Sequence, residues 1–382
     1  MTNERKILLC CNSDIGRKNT IGFRFGKIAQ TLLRENIPFE VIARNNFEKS
    51  IKVKTPFYKN YLARFLNGVR IYLLPNFDSR SIDLKLFDNF VLRNLKKSKI
   101  DYSLSHFGEY SPKSINYLKS KKVKVLLDIP IAHYRYALYL KEKGFVQDTK
   151  VGKTSSFLDK AISKADILIV PSSFVKQSLE MARFKKPVEI VPFGAEMPKN
   201  FSERDIEKKL TQEKINFIFA GNVNYRKGVN FLLEAWDKLN LKNAQLFICG
   251  RLYKTIRKIL GNYRLNNVSF TGFVDLDKYF RQSQVFVFPT LMEGSAKVVY
   301  EAMSYGLPVI TTPNAGSIVE DGKSGFIIPI GQSEALAEKM LYFYRNRKEI
   351  LRMGKNAYFR VKDFTWDKYG ERLLEIYRKN MV

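Results

Sequence analysis

The chain has 382 residues, 45% hydrophobic and 13% aromatic, with 66 Lys and Arg against 37 Asp and Glu, a formal net charge of +29. That length exceeds one ordinary core and suits two α/β domains, and that apolar content excludes a disordered chain. Residues 1–200 carry 37 cations against 18 carboxylates and residues 201–382 carry 29 against 19, so the first half should draw anionic partners such as nucleic acid, anionic lipid or phosphate-bearing substrates, although charge alone names none of them.

Lys6–Cys11 reads as a first buried strand, followed by a polar loop over residues 12–21 and by Phe23, Ile28, Leu32 and Leu33 at helical spacing. Neighbouring Cys10 and Cys11 point to opposite faces of that strand and cannot readily pair with each other, and with Cys249 in a similar run no zinc-like spacing appears. This cysteine usage fits a reducing compartment. The apolar run Ile7–Cys11 is too short for a signal peptide, and no stretch approaches the roughly 20 apolar residues of a membrane span. A cytoplasmic protein is expected, either free or peripheral on the inner face of the plasma membrane.

Further strands read at Phe39–Ala43, Ser103–Phe107, Val123–Ile129, Ile167–Val170 and Val188–Val191. After a charged segment over 200–214 the series restarts at Asn216–Ala220, Gln245–Cys249, Val268–Thr271, Val285–Phe288, Pro308–Thr311 and Phe326–Ile328, and Phe364–Val382 reads as one basic amphipathic helix. Strands alternating with helices imply parallel sheets covered on both faces. The expected fold is therefore α/β, with two doubly wound Rossmann-like domains facing a cleft. Residues 1–195 form the N-terminal domain, 196–360 the C-terminal one, and 361–382 a last helix packing back on the N-terminal domain. Ligands of such sheets bind outside the carboxyl ends of the strands.

The richest segment is residues 288–329. A strand ends at Phe288, a loop carries Glu293 and Gly294, and Ser295–Tyr305 reads as a helix closed by Gly306. Glu301 lies eight residues after Glu293, so two carboxylates flank a helix N-terminus whose amides suit a phosphate. Taken bare, the spacing fits equally well a capped helix with two solvated glutamates. In residues 217–236 a strand runs into a turn at Gly221, and Arg226, Lys227 and Gly228 open an amphipathic helix. Two cations at a strand-to-helix junction can neutralise a diphosphate leaving group.

Together these segments resemble the donor site of retaining GT-B glycosyltransferases of family 4, the group 1 type. That family shows E-G, then a glutamate eight residues after the first, then A-M-A-x-G-x-P-V. Here Glu293-Gly294, Glu301-Ala302-Met303 and Gly306-Leu307-Pro308-Val309 stand at those places, followed by Gly316, Gly322 and Gly325. The resemblance implies that Glu301 binds ribose hydroxyls, that Glu293 binds the transferred sugar, and that backbone amides of Gly294, Ser295, Ala296, Lys297 and Val298 contact sugar and phosphate. Ser295, Ala296 and Lys297 depart from the family's usual aromatic, glycine and leucine, which bears on sugar identity. Lys227 matches the lysine of the family's G-R-x-x-x-x-K-G segment. Asn222 stands where its arginine is expected, so Arg226 is the candidate replacement. Gly221 belongs to the same turn, and Phe273 and Val274, after the strand Val268–Thr271, are expected beside the nucleotide base.

On the acceptor side His133, in the run Leu127–Tyr136, resembles the family's N-terminal-domain histidine near the reacting sugar, and joins Glu293, Arg226 and Lys227 as a catalytic candidate. Gly16, Arg24, His106 and Asp128 are weaker acceptor-side candidates at or after strand ends. Two basic aromatic stretches, Phe57–Leu74 and Leu84–Lys99, suit either an anionic membrane surface or the outer layer of a sheet.

The expected reaction is retaining transfer of a sugar from a UDP- or GDP-sugar to a glycan, lipid-linked or other hydroxyl acceptor, in cell-surface polysaccharide or glycoconjugate synthesis. No carboxylate stands as an obvious nucleophile, which favours front-face attack. No D-x-D sits at a strand end, because Asp275-Leu276-Asp277 fits a helix start; no metal or other cofactor is expected, and fixed cations carry the leaving-group charge. The alternatives are a GT-B nucleotide-sugar epimerase or hydrolase, and a basic nucleic-acid-binding protein. For the latter no recognition module is evident, so nucleic acid is not an expected partner.

Overall fold

The structure is a computed structural model, and it describes residues 5–18, 20–58, 61–72, 79–108, 110–146 and 155–381. The N-terminal sheet holds β1 (Lys6–Ile15), β2 (Phe39–Asn46), β3 (Val53–Lys54), β4 (Tyr102–Phe107), β5 (Lys124–Asp128), β6 (Ile167–Val170) and β7 (Val188–Ile190). All pair parallel in the order β3-β2-β1-β4-β5-β6-β7. The C-terminal sheet holds β8 (Ile215–Ala220), β9 (Ala244–Cys249), β10 (Val268–Gly272), β11 (Val285–Phe288), β12 (Val309–Thr311) and β13 (Gly325–Ile327). Its order is β10-β9-β8-β11-β12-β13, again all parallel. The winding direction reverses between β1 and β4 in one sheet and between β8 and β11 in the other, which opens a crevice at each reversal.

Cys11 packs in one core layer of the N-terminal unit and Cys10 in the other, as alternation along a strand requires. β1 runs four residues further than its apolar pattern signals. Its polar extension is satisfied inside: Asn12 donates to Asp83 Oδ2 at 3.0 Å and accepts from Arg44 Nε at 3.0 Å. The Ser79–Lys97 helix buries Leu84, Phe87, Val91 and Leu95, so the second basic aromatic stretch covers the sheet. The first stretch differs: Phe57, Tyr61 and Phe65 are 95%, 73% and 67% exposed. Its residues 59, 60, 73 and 74 lie outside the described ones. Among the described residues no helix is long and apolar enough to cross a membrane.

After residue 361 the chain returns to the N-terminal unit. Ala195 and Thr365 form a parallel bridge, and the Trp366–Asn380 helix lies against the Ile21–Arg34 helix. A Cβ at Gly370 would stand 2.0 Å from Thr31 Oγ1, so the two helices pack closely there. Trp366, Tyr369, Leu373 and Tyr377 enter the N-terminal core. Tyr377 Oη sits 2.5 Å from Nδ1 of His106, which is wholly buried under Phe25.

Burial, aided by the Arg24 charge, holds the His106 imidazole down to about 3. An unfolded histidine titrates near 6.5, so between those values only the unfolded chain takes up the proton. This contribution to stability is complete above about pH 6.5 and falls by about 1.4 kcal/mol per pH unit on acidification. The urea midpoint should therefore drop between pH 7 and pH 5, and His106→Gln should remove one proton's share of that slope.

Candidate functional site

Two loops leave the carboxyl ends of β8 and β11 side by side. In the first, Asn224 caps a single 3-10 turn, Tyr225–Lys227, and Gly228 follows with φ +70°. The expected helix begins only after this turn, at Val229. A Cβ on Gly228 would lie 1.9 Å from Pro289 O, so only glycine lets the loops approach this closely. Leu291 N and Thr290 Oγ1 donate to Arg226 O at 2.8 and 3.1 Å, stitching the second loop to the first.

Glu293 lies at the centre. Its Oε1 accepts from Arg226 Nη1 at 2.7 Å and from Thr290 Oγ1 at 3.3 Å, and lies 2.5 Å from Lys227 Nζ. Arg226 Nη1 also donates to Met292 O at 2.6 Å. Lys227 stands 4.9 Å over the Phe288 ring. Burial pulls its ammonium below the ordinary lysine value, with Arg226 adding to that and Glu293 opposing it. One carboxylate facing two cations leaves the cluster with a net positive charge.

The helix expected over Ser295–Tyr305 is Lys297–Ser304, with Ala296 at its N-cap and Gly306 (φ +66°) beyond its end. Its start is delayed because the preceding residues are held elsewhere. Ala296 N donates to Ala315 O at 2.9 Å, and Ser295 Oγ pairs with Tyr300 Oη at 2.8 Å. The Ala296 amide is thus not available to a ligand, a correction to the expected run of phosphate-binding amides. Lys297 Nζ pairs with Glu301 Oε1 at 3.1 Å, one helical turn on.

These groups line one groove of about 610 Å³. It gathers Gly221, Arg226, Lys227, Phe273, Val274, Glu293, Ser295, Ala296, Lys297, Val298 and Glu301. Phe273 is 96% exposed at the rim. Gly294 lies behind the wall, at the junction of the two halves. A Cβ there would fall 1.7 Å from Pro130 O, and Gly294 O accepts from Ser172 Oγ at 2.6 Å. Asn314 Nδ2 donates to Tyr136 Oη at 2.7 Å, and Leu291 and Met292 pack with Ala132, Leu140 and Phe174.

The sequence reading did not include the wall at the end of β9, formed by Cys249, Gly250 and Arg251, nor Ala220 and Leu276. A signal existed: Gly250 has φ +137°, and a Cβ there would stand 1.9 Å from Gly221 O. Two glycines ending adjacent parallel strands mark a close backbone approach.

The N-terminal candidates are not at the groove, and for all but the half-buried Gly16 burial is the reason. His133 is wholly buried; its Nδ1 accepts from Arg135 N at 3.4 Å and its Nε2 lies 3.0 Å from Asp159 Oδ1. Burial lowers its imidazole, with Asp159 opposing. It caps the Tyr134–Glu142 helix and supports the loop that brings Pro130 to Gly294, so it does not face a reacting sugar. His106 is inside the core. Asp128 and Arg24 form a buried pair at 2.7 Å. Gly16 turns at the end of β1 with φ +80°, facing Phe47 and Glu48. Of these, only Arg24 borders a neighbouring cavity of about 310 Å³.

Residues 201–360 match the family described as glycosyl transferases group 1. An uncharacterized glycosyltransferase of Methanocaldococcus jannaschii is 26% identical over 355 residues, covering 85% of this chain and 88% of that protein. The O-antigen chain mannosyltransferase C of Escherichia coli is 27% identical over 231 residues, covering 57% of this chain and 62% of that one. The solved structure of Anabaena HepE in complex with UDP superposes with a TM-score of 0.62 at 16% identity, over 98% of this chain and 100% of that one. At that identity the likeness speaks to the fold, which is GT-B.

Gly294→Ala should force Pro130 and the Glu293 loop apart. Small-angle scattering should read this as an enlarged radius of gyration, with the circular dichroism of each unit retained.

Proposed function

We propose that this chain, whose residues 201–360 match the group 1 glycosyl transferases and which has the GT-B fold, is an enzyme that transfers a sugar, with retention, from a UDP- or GDP-sugar to a hydroxyl of a glycan or lipid-linked acceptor. The observation that carries this reading is the groove in which Arg226 and Lys227 meet Glu293 while Glu301 stands on the facing helix. The diphosphate lies against the two cations and the start of the Lys297–Ser304 helix. Glu301 accepts hydrogen bonds from the ribose, Glu293 from the transferred sugar, and exposed Phe273 lies by the base with Val274.

In the reaction the bond between the anomeric carbon and the β-phosphate oxygen breaks, and its electron pair leaves with the diphosphate. Arg226 and Lys227 stabilise that charge, the part a divalent metal plays in other transferases. The acceptor oxygen forms its bond to the same face of the anomeric carbon. Its proton passes to the departing phosphate oxygen, so the products are the glycoside and the nucleoside diphosphate. His133 is a positioning residue in this scheme, acting through the Pro130 loop. The E. coli relative, named for O-antigen chain synthesis, supports a place in polysaccharide assembly. The exposed Phe57, Tyr61 and Phe65, in a stretch from 49 to 77 with six Lys or Arg and no acidic residue, favour work at an anionic membrane surface.

A thermal-shift panel of UDP-, GDP- and ADP-sugars should show one nucleotide raising the melting temperature, since a ligand stabilises the state it binds. Glu301→Ala should abolish that shift; a full response in the mutant would remove Glu301 from the ribose. Lys227→Ala should lower kcat by about 10²–10³-fold in metal-free buffer. In NMR spectra of the product the anomeric configuration should match that of the donor, and an inverted linkage would overturn the retaining assignment.

A further inference from the structure

The cavity of about 310 Å³ beside the groove lies between the two halves, with Phe23, Pro130, Phe193 and Trp366 as apolar walls. It shares Ser295 and Lys297 with the groove, so the two spaces meet at that point. Two cations border it. Arg24 is 5% exposed, with its guanidinium 4.6 Å over the Phe193 ring and Nη2 2.7 Å from Asp128 Oδ2. Its guanidinium is buried, with the Tyr369 side chain as its other hydrogen-bonding neighbour. An anion entering the cavity would meet this guanidinium in a charge-assisted contact. On the opposite wall Lys297 occupies the first position of its helix, where the dipole disfavours a cation, and is held by Glu301 at 3.1 Å.

We propose that this cavity binds an anionic group carried by the acceptor, a phosphate or a carboxylate, between Arg24 and Lys297, with the adjoining ring or apolar face of the acceptor against Phe23, Phe193 and Trp366. This rests on the glycosyl-transfer reading and adds an order to it. Once a ribose occupies the Glu301 carboxylate, Lys297 Nζ is drawn to the anion instead, so donor binding should strengthen acceptor binding. The anion then anchors an acceptor whose hydroxyl lies toward the junction at Ser295.

The test is a calorimetric titration of the full chain with phenyl phosphate, benzoate and phenol, with and without saturating UDP or GDP. The expected result is that phenyl phosphate or benzoate binds the nucleotide-saturated protein more tightly than the free one, and at least tenfold more tightly than phenol does. Preference for phenyl phosphate assigns a phosphate-bearing acceptor; preference for benzoate assigns a carboxylated sugar. Lys297→Met should weaken the preferred anion at least tenfold, and Ile21→Trp, which fills the cavity from its rim, should abolish its binding. Arg24→Lys, which keeps a cation beside Asp128 but loses the second arm, should weaken it several-fold. Equal affinity for phenol and the anions overturns the proposal, as does anion binding that nucleotide displaces or that neither Lys297→Met nor Ile21→Trp alters. If nucleotide binds and no anion follows, the cavity inference falls alone. If anions bind with the expected response to the variants and no nucleotide does, the donor assignment falls and the anion site stands.

Discussion

The ion cluster of Glu293 with Arg226 and Lys227 is the constraint on which the groove depends. The three side chains come from loops that leave adjacent strands of a parallel sheet, at the point where its winding reverses. Without the carboxylate, two cations would repel each other in a partly desolvated place, and the loops would separate. With it, the cations are held in position and still outnumber the negative charge. Around the whole groove Arg226, Lys227, Arg251 and Lys297 face only Glu293 and Glu301, an imbalance that suits a diphosphate. The charges are fixed before any ligand arrives, so little reorganisation is needed when one does.

Close backbone approach is the second constraint, and it acts through glycine. Gly228 against Pro289, Gly250 against Gly221 and Gly294 against Pro130 leave no room for a Cβ. The first two bring the groove walls together within one sheet. The third joins the two halves of the molecule, and with the Ser172 and Asn314 hydrogen bonds it ties the Glu293 loop to the strand ends of the N-terminal unit. The final helix closes the arrangement from behind by burying Trp366, Tyr369 and Tyr377 in the N-terminal core. Trp366 also forms a wall of the smaller cavity, so the return of the chain shapes a binding space as well as a core.

The buried polar groups of the N-terminal unit show how far strand-end placement carries an argument about function. His106, Asp128 and His133 all sit at or just after strand ends, where ligands of open α/β sheets gather. Each has instead found a partner inside the protein: Tyr377 for His106, Arg24 for Asp128, Asp159 for His133. Those partners lie 271, 104 and 26 residues away along the chain, so no local pattern announces them. The same holds for the Lys297–Glu301 pair in the opposite sense: its helical spacing was visible, but whether the two residues faced a ligand site or solvent depended on what lay opposite.

What the sequence determined by itself was whatever rests on short-range regularity. Apolar runs of three to seven residues between helical stretches marked twelve of the thirteen strands; the two-residue β3 was too short to register, and β1 ran past its apolar pattern because Asn12 is paired inside with Asp83 and Arg44. The glycines, the cation pair and the glutamate spacing located the loops at the ends of β8 and β11, since each has a meaning within about ten residues. Only the tertiary structure decided which side chains reach solvent, which are consumed by partners, and that the ends of β9, the Ile21–Arg34 helix and Trp366 bound further walls. Burial and ion pairing arise from surfaces brought together across the whole chain, and that is information a local pattern does not contain.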